Sequence, residues 1–259
     1  MTGSPQPVVG VFSAPGPYRA AVAELPLRTR ATGRAAGAIA VIPGAEGWVD
    51  AALVAARTGA AAVVVADPVF TASAELYRLA DAPGIPLIVE RPLLRADLVR
   101  IVIGTRADAP ARVVVADAAA PRGRARHVAR DAVGWLRVLC GDDLAVVRES
   151  GGLALLEGPS DVPVTLSVAE TTRPGRGWIR VQALGEVVTD MDVEGDDARV
   201  STSTSDGCLV SPRRYESSER LALRRAVEAL QGTWPRDLDE LSADTELVER
   251  LSTGGHRWR

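Results

Sequence analysis

The sequence predicts an α/β domain followed by an α+β domain, because the arrangement of its apolar segments changes near residue 105. Before that point, short apolar runs alternate with helical patterns, which is typical of strand–helix units in a parallel sheet. After it, nearly all apolar runs are short strands separated by turn residues, and consecutive strands of that kind pair antiparallel. We therefore expect a parallel-sheet domain at residues 1–108 and an open antiparallel-sheet domain with flanking helices at residues 109–259.

The strands of the first domain are predicted where apolar residues run without interruption, since a sheet covered by helices on both sides is apolar on both faces. They are Pro7–Phe12, Ala38–Ile42, Ala61–Ala66 and Ile85–Val89. Helical patterns follow them at Tyr18–Leu25, Trp48–Arg57, Ala72–Leu79 and Leu93–Ile103. Gly59 and the pair Pro83 and Gly84 are the expected stop signals for the second and third helices.

The second domain is predicted to begin with a strand at Arg112–Ala116 and a helix at Asp131–Leu139 that ends at Gly141. Its further strands are Leu153–Leu156, Val164–Glu170, Trp178–Leu184, Val187–Val193 and Arg199–Ser203. Two helices follow at Ser218–Leu230 and Leu238–Leu251. Residues 254–259 are expected to form a loose tail.

The composition excludes every mechanism that needs a lysine. All 30 of the chain's Lys and Arg residues are arginine, so Schiff-base chemistry, a phosphate-loop lysine and a lysine proton donor are ruled out. The two histidines are His127 and His256, and the second lies in the predicted tail. A metal centre built from several histidines is therefore not expected, and no metal ligands are predicted.

Charge and cysteine content predict a cytoplasmic protein that binds neither nucleic acid nor membranes. The formal net charge of -3 provides no general attraction to anionic partners. Cys140 and Cys208 lack the spacing of metal ligands or of a disulfide framework, so both are expected to be packing residues in a reducing compartment. The sequence shows neither a signal peptide nor an apolar run of about 18 residues.

Six segments, taken in their order along the chain, carry a resemblance to a known enzyme family. They are Val8–Phe12 with the following Tyr18–Leu25, Ala61–Pro68, Gly84–Val89, Asp131–Leu136 ahead of Gly141, Trp178–Val193 and Arg220–Leu230. This order resembles the glucose-fructose oxidoreductase / inositol dehydrogenase (Gfo/Idh/MocA) family. The resemblance implies a shortened Rossmann-type parallel-sheet domain joined to a C-terminal open antiparallel-sheet domain, with an NAD(P) cofactor and oxidoreductase activity.

The chain departs from this family where the cofactor would bind. The family's glycine fingerprint falls on Ser13, Pro15 and Tyr18, which are the cofactor-binding positions that the resemblance implies. Fingerprint glycines allow a tight turn and close approach to pyrophosphate, whereas a proline removes a backbone donor and a tyrosine fills space. About 20 residues that should hold the next strand–helix unit are also missing between Arg30 and Ala38. The presumed second strand, Leu27–Thr32, ends without an acidic residue for a ribose hydroxyl.

The family's catalytic Glu-Lys-Pro sequence falls on Ala66–Pro68 or, in a shifted register, on Glu90–Pro92. The first register is preferred because it keeps the following strand, helix and strand in order, and it makes Asp67 the candidate proton donor. Neither register contains a lysine. The family histidine, three residues before Asp131, falls one residue beyond His127.

His127 and Asp131 are four residues apart, so they would share a helix face and could form an acid–base pair if that helix begins early. A solvated helix start in an arginine-rich segment is the favoured alternative. The arginines of that segment could bind a phosphate or carboxylate, although a surface cluster is favoured; they are Arg122, Arg124, Arg126 and Arg130. The segment Asp190–Asp197 has Ser201 at the twelfth position of a calcium loop, so it is predicted to be an acidic hairpin turn.

Two functions remain open. The first is an oxidoreductase that uses NAD(P) on a small polyol, sugar or imine substrate, with Asp67 or His127 in place of the lysine. The second is a degenerate relative without hydride transfer that binds a ligand or a partner protein through the retained cleft or the sheet. The lost glycines, the lost sheet unit and the absence of lysine favour the second, for which no cofactor is expected.

The antiparallel sheet of residues 153–205 also predicts a partner. Helices can cover only one face of such a sheet, and the other face would carry Trp178 and Leu184. Exposed apolar faces of this kind are usually buried by a second subunit. We expect a homodimer, or a heteromer with a related oxidoreductase subunit.

Overall fold

The computed structural model describes residues 8–81, 84–106, 109–141 and 144–252. They form two compact units: the chain up to Arg91 with Glu216–Ser242, and Pro92–Tyr215 with the residues from Ala243 onward. The predicted fold class is confirmed, since the first unit contains a parallel sheet and the second a largely antiparallel one. Pro7, the stop signal at Pro83, and the predicted tail with His256 lie outside the described residues.

Five parallel strands in the order β2-β1-β3-β4-β5 form the sheet of the first unit. They are β1 (Val9–Phe12), β2 (Thr29–Thr32), β3 (Ile39–Pro43), β4 (Ala62–Ala66) and β5 (Leu87–Glu90), with helices α1 (Gly16–Glu24), α2 (Trp48–Arg57) and α3 (Ser73–Ala80) between them. The central strands are apolar on both faces because both faces are covered. Ile39 and Val41 pack with α1, whereas Ala40 and Ile42 pack with α2 and α3.

A helix from the C-terminal part of the chain completes the first unit. Helix α6 (Ser218–Ala229) packs beside α1 on the sheet through Leu223 and Ala226. The predicted division at residue 108 therefore differs from the structure, in which α6 belongs to the first unit and α4 (Ala96–Arg106) to the second. The physical reason is that α6 supplies the apolar cover for this face of the parallel sheet.

Eight strands in the order β13-β12-β11-β10-β6-β9-β8-β7 form the sheet of the second unit. They are β6 (Ala111–Pro121), β7 (Ala145–Ser150), β8 (Leu153–Gly158), β9 (Val162–Thr171), β10 (Trp178–Gly185), β11 (Val188–Glu194), β12 (Asp197–Thr204) and β13 (Gly207–Val210). Neighbouring strands are antiparallel except β6 and β9, which are parallel. The sheet is therefore mixed.

Helix α5 (Ala125–Cys140) covers one face of this sheet, against β6, β9 and β10. It begins six residues before the predicted start, because Ala125, Val128 and Ala129 extend its buried side through the arginine-rich segment. Trp135 donates its indole N–H to the carbonyl oxygen of Leu93, at 2.7 Å, and so ties α5 to the segment before α4. The last helix is α7 (Asp237–Ser252). In the described part of the chain, no helix has the length and apolar character needed to cross a membrane.

Candidate functional site

The carboxyl ends of the parallel strands in the first unit form the candidate site. The strand order reverses between β1 and β3, and ligands of open parallel sheets bind at such a switch point. Two non-glycine residues adopt the left-handed backbone conformation at this edge: Ser13 after β1, with φ 57°, and Asp67 after β4, with φ 45°. Such strained residues cluster at functional sites.

The chain after β3 and the chain after β4 are locked together. The Gly44 N–H donates to the Ala66 carbonyl oxygen at 2.8 Å, and the Val69 N–H donates to the Gly44 carbonyl at 2.7 Å. A side chain on Gly44 would stand 2.3 Å from that Ala66 oxygen, so only glycine fits there. The Asp67 N–H donates to the Glu90 carbonyl oxygen at 3.1 Å. The backbone at Asp67 is therefore fixed on two sides.

The first turn of α1 faces solvent directly after β1. Pro15 is the residue before the helix, and Gly16, Pro17 and Arg19 are exposed. A Cβ added to Gly16 would meet only the Arg19 guanidinium, at 3.9 Å. Because the amino end of a helix carries partial positive charge, Arg19 adds to a field that favours anions. Pro17 lacks an N–H, so this turn has one donor fewer than a turn without proline.

Tyr18 lies beneath α1 rather than in front of its first turn. Its side chain is 2% exposed and packs in the core shared by α1 and α6. The hydroxyl donates to Glu90 Oε2 at 2.9 Å, and the Ser218 hydroxyl donates to Glu90 Oε1. This corrects the expectation that Tyr18 fills the space where pyrophosphate would lie. The side chain instead fills the interface between helix and sheet.

His127 and Asp131 lie on α5 of the second unit and are 4% and 0% exposed. The early start of α5 puts them on one helix, but the favoured expectation of a solvated helix start is wrong because this part of α5 is buried. Asp131 Oδ1 accepts hydrogen bonds from Nε and Nη2 of Arg130, both at 3.2 Å. His127 Nε2 lies 3.0 Å from Nη2 of Arg124. A guanidinium can only donate, so Nε2 of His127 is the acceptor.

The arginine cluster of this segment does not form one surface patch. Arg122 is exposed, Arg124 and Arg126 are half-buried, and Arg130 is fully buried beside Asp131. Arg130 therefore has a structural ion pair, and the four guanidinium groups do not present one common anion site.

A second buried ion pair lies at the start of α4 and had no signal in the sequence. Arg95 donates to Asp97 through two hydrogen bonds, Nε to Oδ1 and Nη2 to Oδ2, both at 3.0 Å. Burial alone would raise the pKa of Asp97, but the hydrogen bonds and charge of Arg95 outweigh it and lower the pKa below 3.8.

The two cysteines differ in their surroundings. Burial raises the pKa of the Cys140 thiol to about 11, which keeps it protonated and unreactive at neutral pH. Cys208 on β13 is exposed, so the expectation that it packs in the core is wrong. It lies on an edge strand of four exposed residues. Among the residues that the structure describes, no cluster of three His, Cys, Asp or Glu side chains could hold a metal ion.

The predicted site residues thus fall into two groups. Ser13, Pro15 and Asp67 lie at the carboxyl edge of the first sheet, with Tyr18 below it. His127 and Asp131 belong to the second unit. Glu90 appeared in the sequence only as the less favoured register of the Glu-Lys-Pro match. Its role as the partner of Tyr18 and Ser218 was missed, because these residues are 72 and 128 positions away from it in the chain. The only local signal was the helix-capping serine beside Ser218, Ser217, whose side chain accepts from the Arg220 N–H.

Fold and site together define a two-domain protein with a dinucleotide-type parallel sheet and a large C-terminal sheet. Among solved structures, it is similar to KijD10, a 3-ketoreductase from Actinomadura kijaniata in complex with NADP and TDP-benzene, with TM-score 0.69, 16% identity, and 96% of this chain and 98% of that chain covered. It is also similar to the UDP-N-acetylglucosamine 3-dehydrogenase GnnA from Acidithiobacillus ferrooxidans, with TM-score 0.67, 12% identity, and 95% and 96% covered. No family model and no curated protein matches the chain. At these identities, the similarity shows the fold.

Proposed function

We propose that the protein is an NAD(P)-dependent oxidoreductase of the Gfo/Idh/MocA type that acts on a small polyol, sugar or imine substrate. The similarity to KijD10 and GnnA covers nearly the whole chain and therefore both units. KijD10 is a 3-ketoreductase and GnnA is a 3-dehydrogenase, so both are oxidoreductases. This support favours an oxidoreductase over the non-catalytic relative that the sequence alone favoured. We also propose that the protein acts in the cytoplasm, because Cys140 and Cys208 lack the spacing of a disulfide framework, as suits a reducing compartment.

The observation that carries the proposal is the open first turn of α1 at the switch point. Ser13 adopts the left-handed conformation that a fingerprint glycine would supply. Tyr18 packs in the core, and a Cβ added to Gly16 would have only the Arg19 guanidinium within 4 Å. A phosphate group could therefore approach the turn and meet a positive charge.

The residues present fit a dinucleotide at this turn. The backbone from Ser13 to Gly16 would hold the pyrophosphate, and Arg19 would offset its charge. That charge matters here because Pro15 and Pro17 supply no N–H donors. When bound, the nicotinamide would accept or donate the hydride.

Proton transfer would come from Asp67 or His127, since the chain has no lysine. Asp67 is half-buried at the same sheet edge as the α1 turn, and its backbone is fixed by Glu90. Nε2 of His127 lies beside the Arg124 guanidinium, and Asp131, the acid–base partner that the sequence offered for His127, is paired with Arg130. Asp67→Asn and His127→Ala are to be assayed side by side, and unchanged turnover in both variants would remove these donors.

A second candidate function is a ligand- or partner-binding protein without hydride transfer. The specific observation in its favour is the pair of prolines around Gly16, which reduces the number of backbone donors at the turn. Such a protein would act as a homodimer or as a subunit beside a related oxidoreductase that holds an intact cofactor site.

Thermal unfolding in the presence of NADPH, NADH or 5′-AMP separates the two candidates. Ligand at about 100 times its Kd stabilises the folded state by about 2.7 kcal/mol, which corresponds to about 5–10 °C for a chain of this size. We expect such a shift with at least one dinucleotide at millimolar concentration. The same melting temperature in all solutions would support the second candidate.

A further inference from the structure

The turn that follows β2 carries positive charge at the place where dinucleotide sheets contact the adenosine ribose. β2 runs parallel to β1 with Thr32 opposite Phe12, so the ends of these strands lie side by side. In sheets of this type, an acidic residue near the end of the second strand binds the ribose hydroxyls of NAD, whereas an arginine accommodates the 2′-phosphate of NADP. Here Gly33 and Arg34 follow Thr32.

This turn is anchored on β1 and leaves Arg34 accessible. The Arg34 N–H forms a weak hydrogen bond, 3.4 Å long, with Thr32 Oγ1. Thr32 packs closely on Gly10, since a Cβ there would stand 2.9 Å from Thr32 Cγ2. Arg34 is exposed, and no residue of the described ranges forms an ion pair with it. A Cβ on Gly33 would meet nothing within 4 Å, so the space beside the turn is open.

The whole surrounding segment lacks acidic residues. Between Glu24 and Glu46 the chain contains three arginines, Arg28, Arg30 and Arg34, and no Asp or Glu. No carboxylate of this segment can therefore accept hydrogen bonds from ribose hydroxyls. A phosphate would find only positive charge there, and Arg–phosphate contacts are among the stronger hydrogen-bonded pairs.

We propose that the dinucleotide site selects NADP(H) over NAD(H), and that Arg34 determines this specificity by pairing with the 2′-phosphate. The inference rests on the proposed function, because it requires a dinucleotide at the carboxyl edge of the first sheet. Arg30 provides the matched control. Like Arg34 it is exposed, but it lies within β2, two residues before the end of the strand and roughly 7 Å from it.

Calorimetric titrations of the full chain with NADPH, NADH, 2′,5′-ADP and 5′-AMP test this proposal. We expect NADPH to bind about ten- to a hundredfold more tightly than NADH, which is the gain that one charged contact would provide. The affinity for 2′,5′-ADP should exceed that for 5′-AMP by a similar factor. Arg34→Gln should remove this advantage and leave NADH binding unchanged, whereas Arg30→Gln should keep it. Circular dichroism checks that each variant is folded.

Three results would overturn the proposal. Equal affinities for NADPH and NADH in the natural chain would show that the site does not recognise the 2′-phosphate, although a dinucleotide binds. Equal losses of both in Arg34→Gln would show that Arg34 contacts another part of the ligand. Binding of none of the four ligands would overturn the proposed function together with this inference.

A gain of function gives an independent check. Thr32→Asp places a carboxylate at the end of β2, where it would accept hydrogen bonds from a ribose diol and repel a 2′-phosphate. We expect this variant to prefer NADH. An unchanged preference for NADPH in a folded variant would contradict the assignment of this turn to the ribose.

Discussion

Glu90 connects three elements of the first unit through one buried carboxylate. Two hydroxyls donate to it: that of Tyr18 in α1, 72 residues before it in the sequence, and that of Ser218 in α6, 128 residues after it. Its position at the first turn of α6 is favourable because a helix start attracts negative charge. Glu90 therefore stabilises the packing of α1 and α6 on the sheet, and this explains why Tyr18 lies in the core.

Glu90→Gln should destabilise the first unit. The amide keeps one acceptor oxygen, so one of the two buried hydroxyls loses its partner, at a cost of about 1–2 kcal/mol. Urea unfolding measures the change, with Tyr18→Phe as the second arm of a double-mutant cycle. Glu46→Gln is the control, because Glu46 is exposed. Additive effects of the two substitutions at Tyr18 and Glu90 would contradict the coupling.

The Arg95–Asp97 pair makes the stability of the second unit depend on pH. The folded-state pKa of Asp97 lies below its ordinary value of 3.8. Its ionised form therefore contributes stability that is fully present above that value and is lost as the pH falls through the folded pKa.

Asp97→Asn should cost about 3 kcal/mol at pH 7, because it removes a carboxylate that accepts two hydrogen bonds from the buried guanidinium of Arg95. The difference from the natural chain should shrink as the pH falls below about 4. Melting temperatures between pH 7 and pH 3 test this, with Asp50→Asn in an exposed ion pair as the control. If the difference in melting temperature between the natural chain and Asp97→Asn stays constant over this range, the ionisation of Asp97 does not contribute to stability.

Among the elements, a strand could be predicted from the sequence where its buried positions are apolar. The four apolar strands of the first sheet were predicted because both faces are covered. β2 contains the polar sequence from Thr29 to Thr32 and was expected only from the family resemblance. β7 is almost wholly exposed and β13 wholly so, and neither shows the alternation that identifies a strand.

The start of α5 and the direction of the Tyr18 side chain could not be predicted from the sequence. Charged residues normally indicate solvent, so the arginines before Asp131 were assigned to the surface. The tertiary structure instead buries Arg130 against Asp131. Likewise, the fingerprint positions Ser13 and Pro15 could be located from the sequence, but the direction of the Tyr18 side chain depends on a distant carboxylate, Glu90.

The hairpin between β8 and β9 contains strain that a substitution can relieve. Ser160 and Asp161 both have φ 58°, a conformation that costs a residue with a side chain about 1 kcal/mol or more. Asp161→Gly should therefore raise the free energy of unfolding by about 1 kcal/mol. The converse control is Gly195→Ala, also at φ 58°, which should lower it. If Asp161→Gly is destabilising in urea unfolding, the strain is not the dominant contribution there.

At the scale of the whole molecule, the described part of the second unit has a sheet whose face opposite α5 carries exposed side chains along its central strand β10. Ile179, Val181 and Ala183 of β10 are buried on the side of α5, so the alternate positions, Leu184 among them, lie on the other face. Leu155 of β8 is also exposed on that face, at 41%. The same face also carries Arg180 and Gln182, which form hydrogen bonds with Asp192 and Asp190 of β11. Exposed leucines beside polar side chains are typical of a subunit interface with a polar rim.

We therefore predict a dimer, homomeric or with a related subunit, formed through this face. Leu155→Arg should produce monomers that remain folded by circular dichroism, because it places a charge in the interface but not in the core. Leu209→Arg is the control, since the register pairs Leu209 with buried Thr202 and so places it on the opposite face. Sedimentation at micromolar concentration measures both variants. A natural chain that sediments as a monomer without any co-purifying subunit would contradict the prediction.

Calorimetric titration of NADPH into the natural chain and into Gly16→Asp tests the proposed cofactor site most directly. The new carboxylate suits the first turn of α1 and meets no steric obstacle, so the variant should fold, but it would repel a pyrophosphate. We predict that NADPH binds the natural chain and that Gly16→Asp weakens it at least about tenfold, whereas Ala23→Asp at the exposed far end of α1 leaves it unchanged. No binding to the natural chain, or equal binding to Gly16→Asp, would contradict a dinucleotide site at the carboxyl edge of the first sheet.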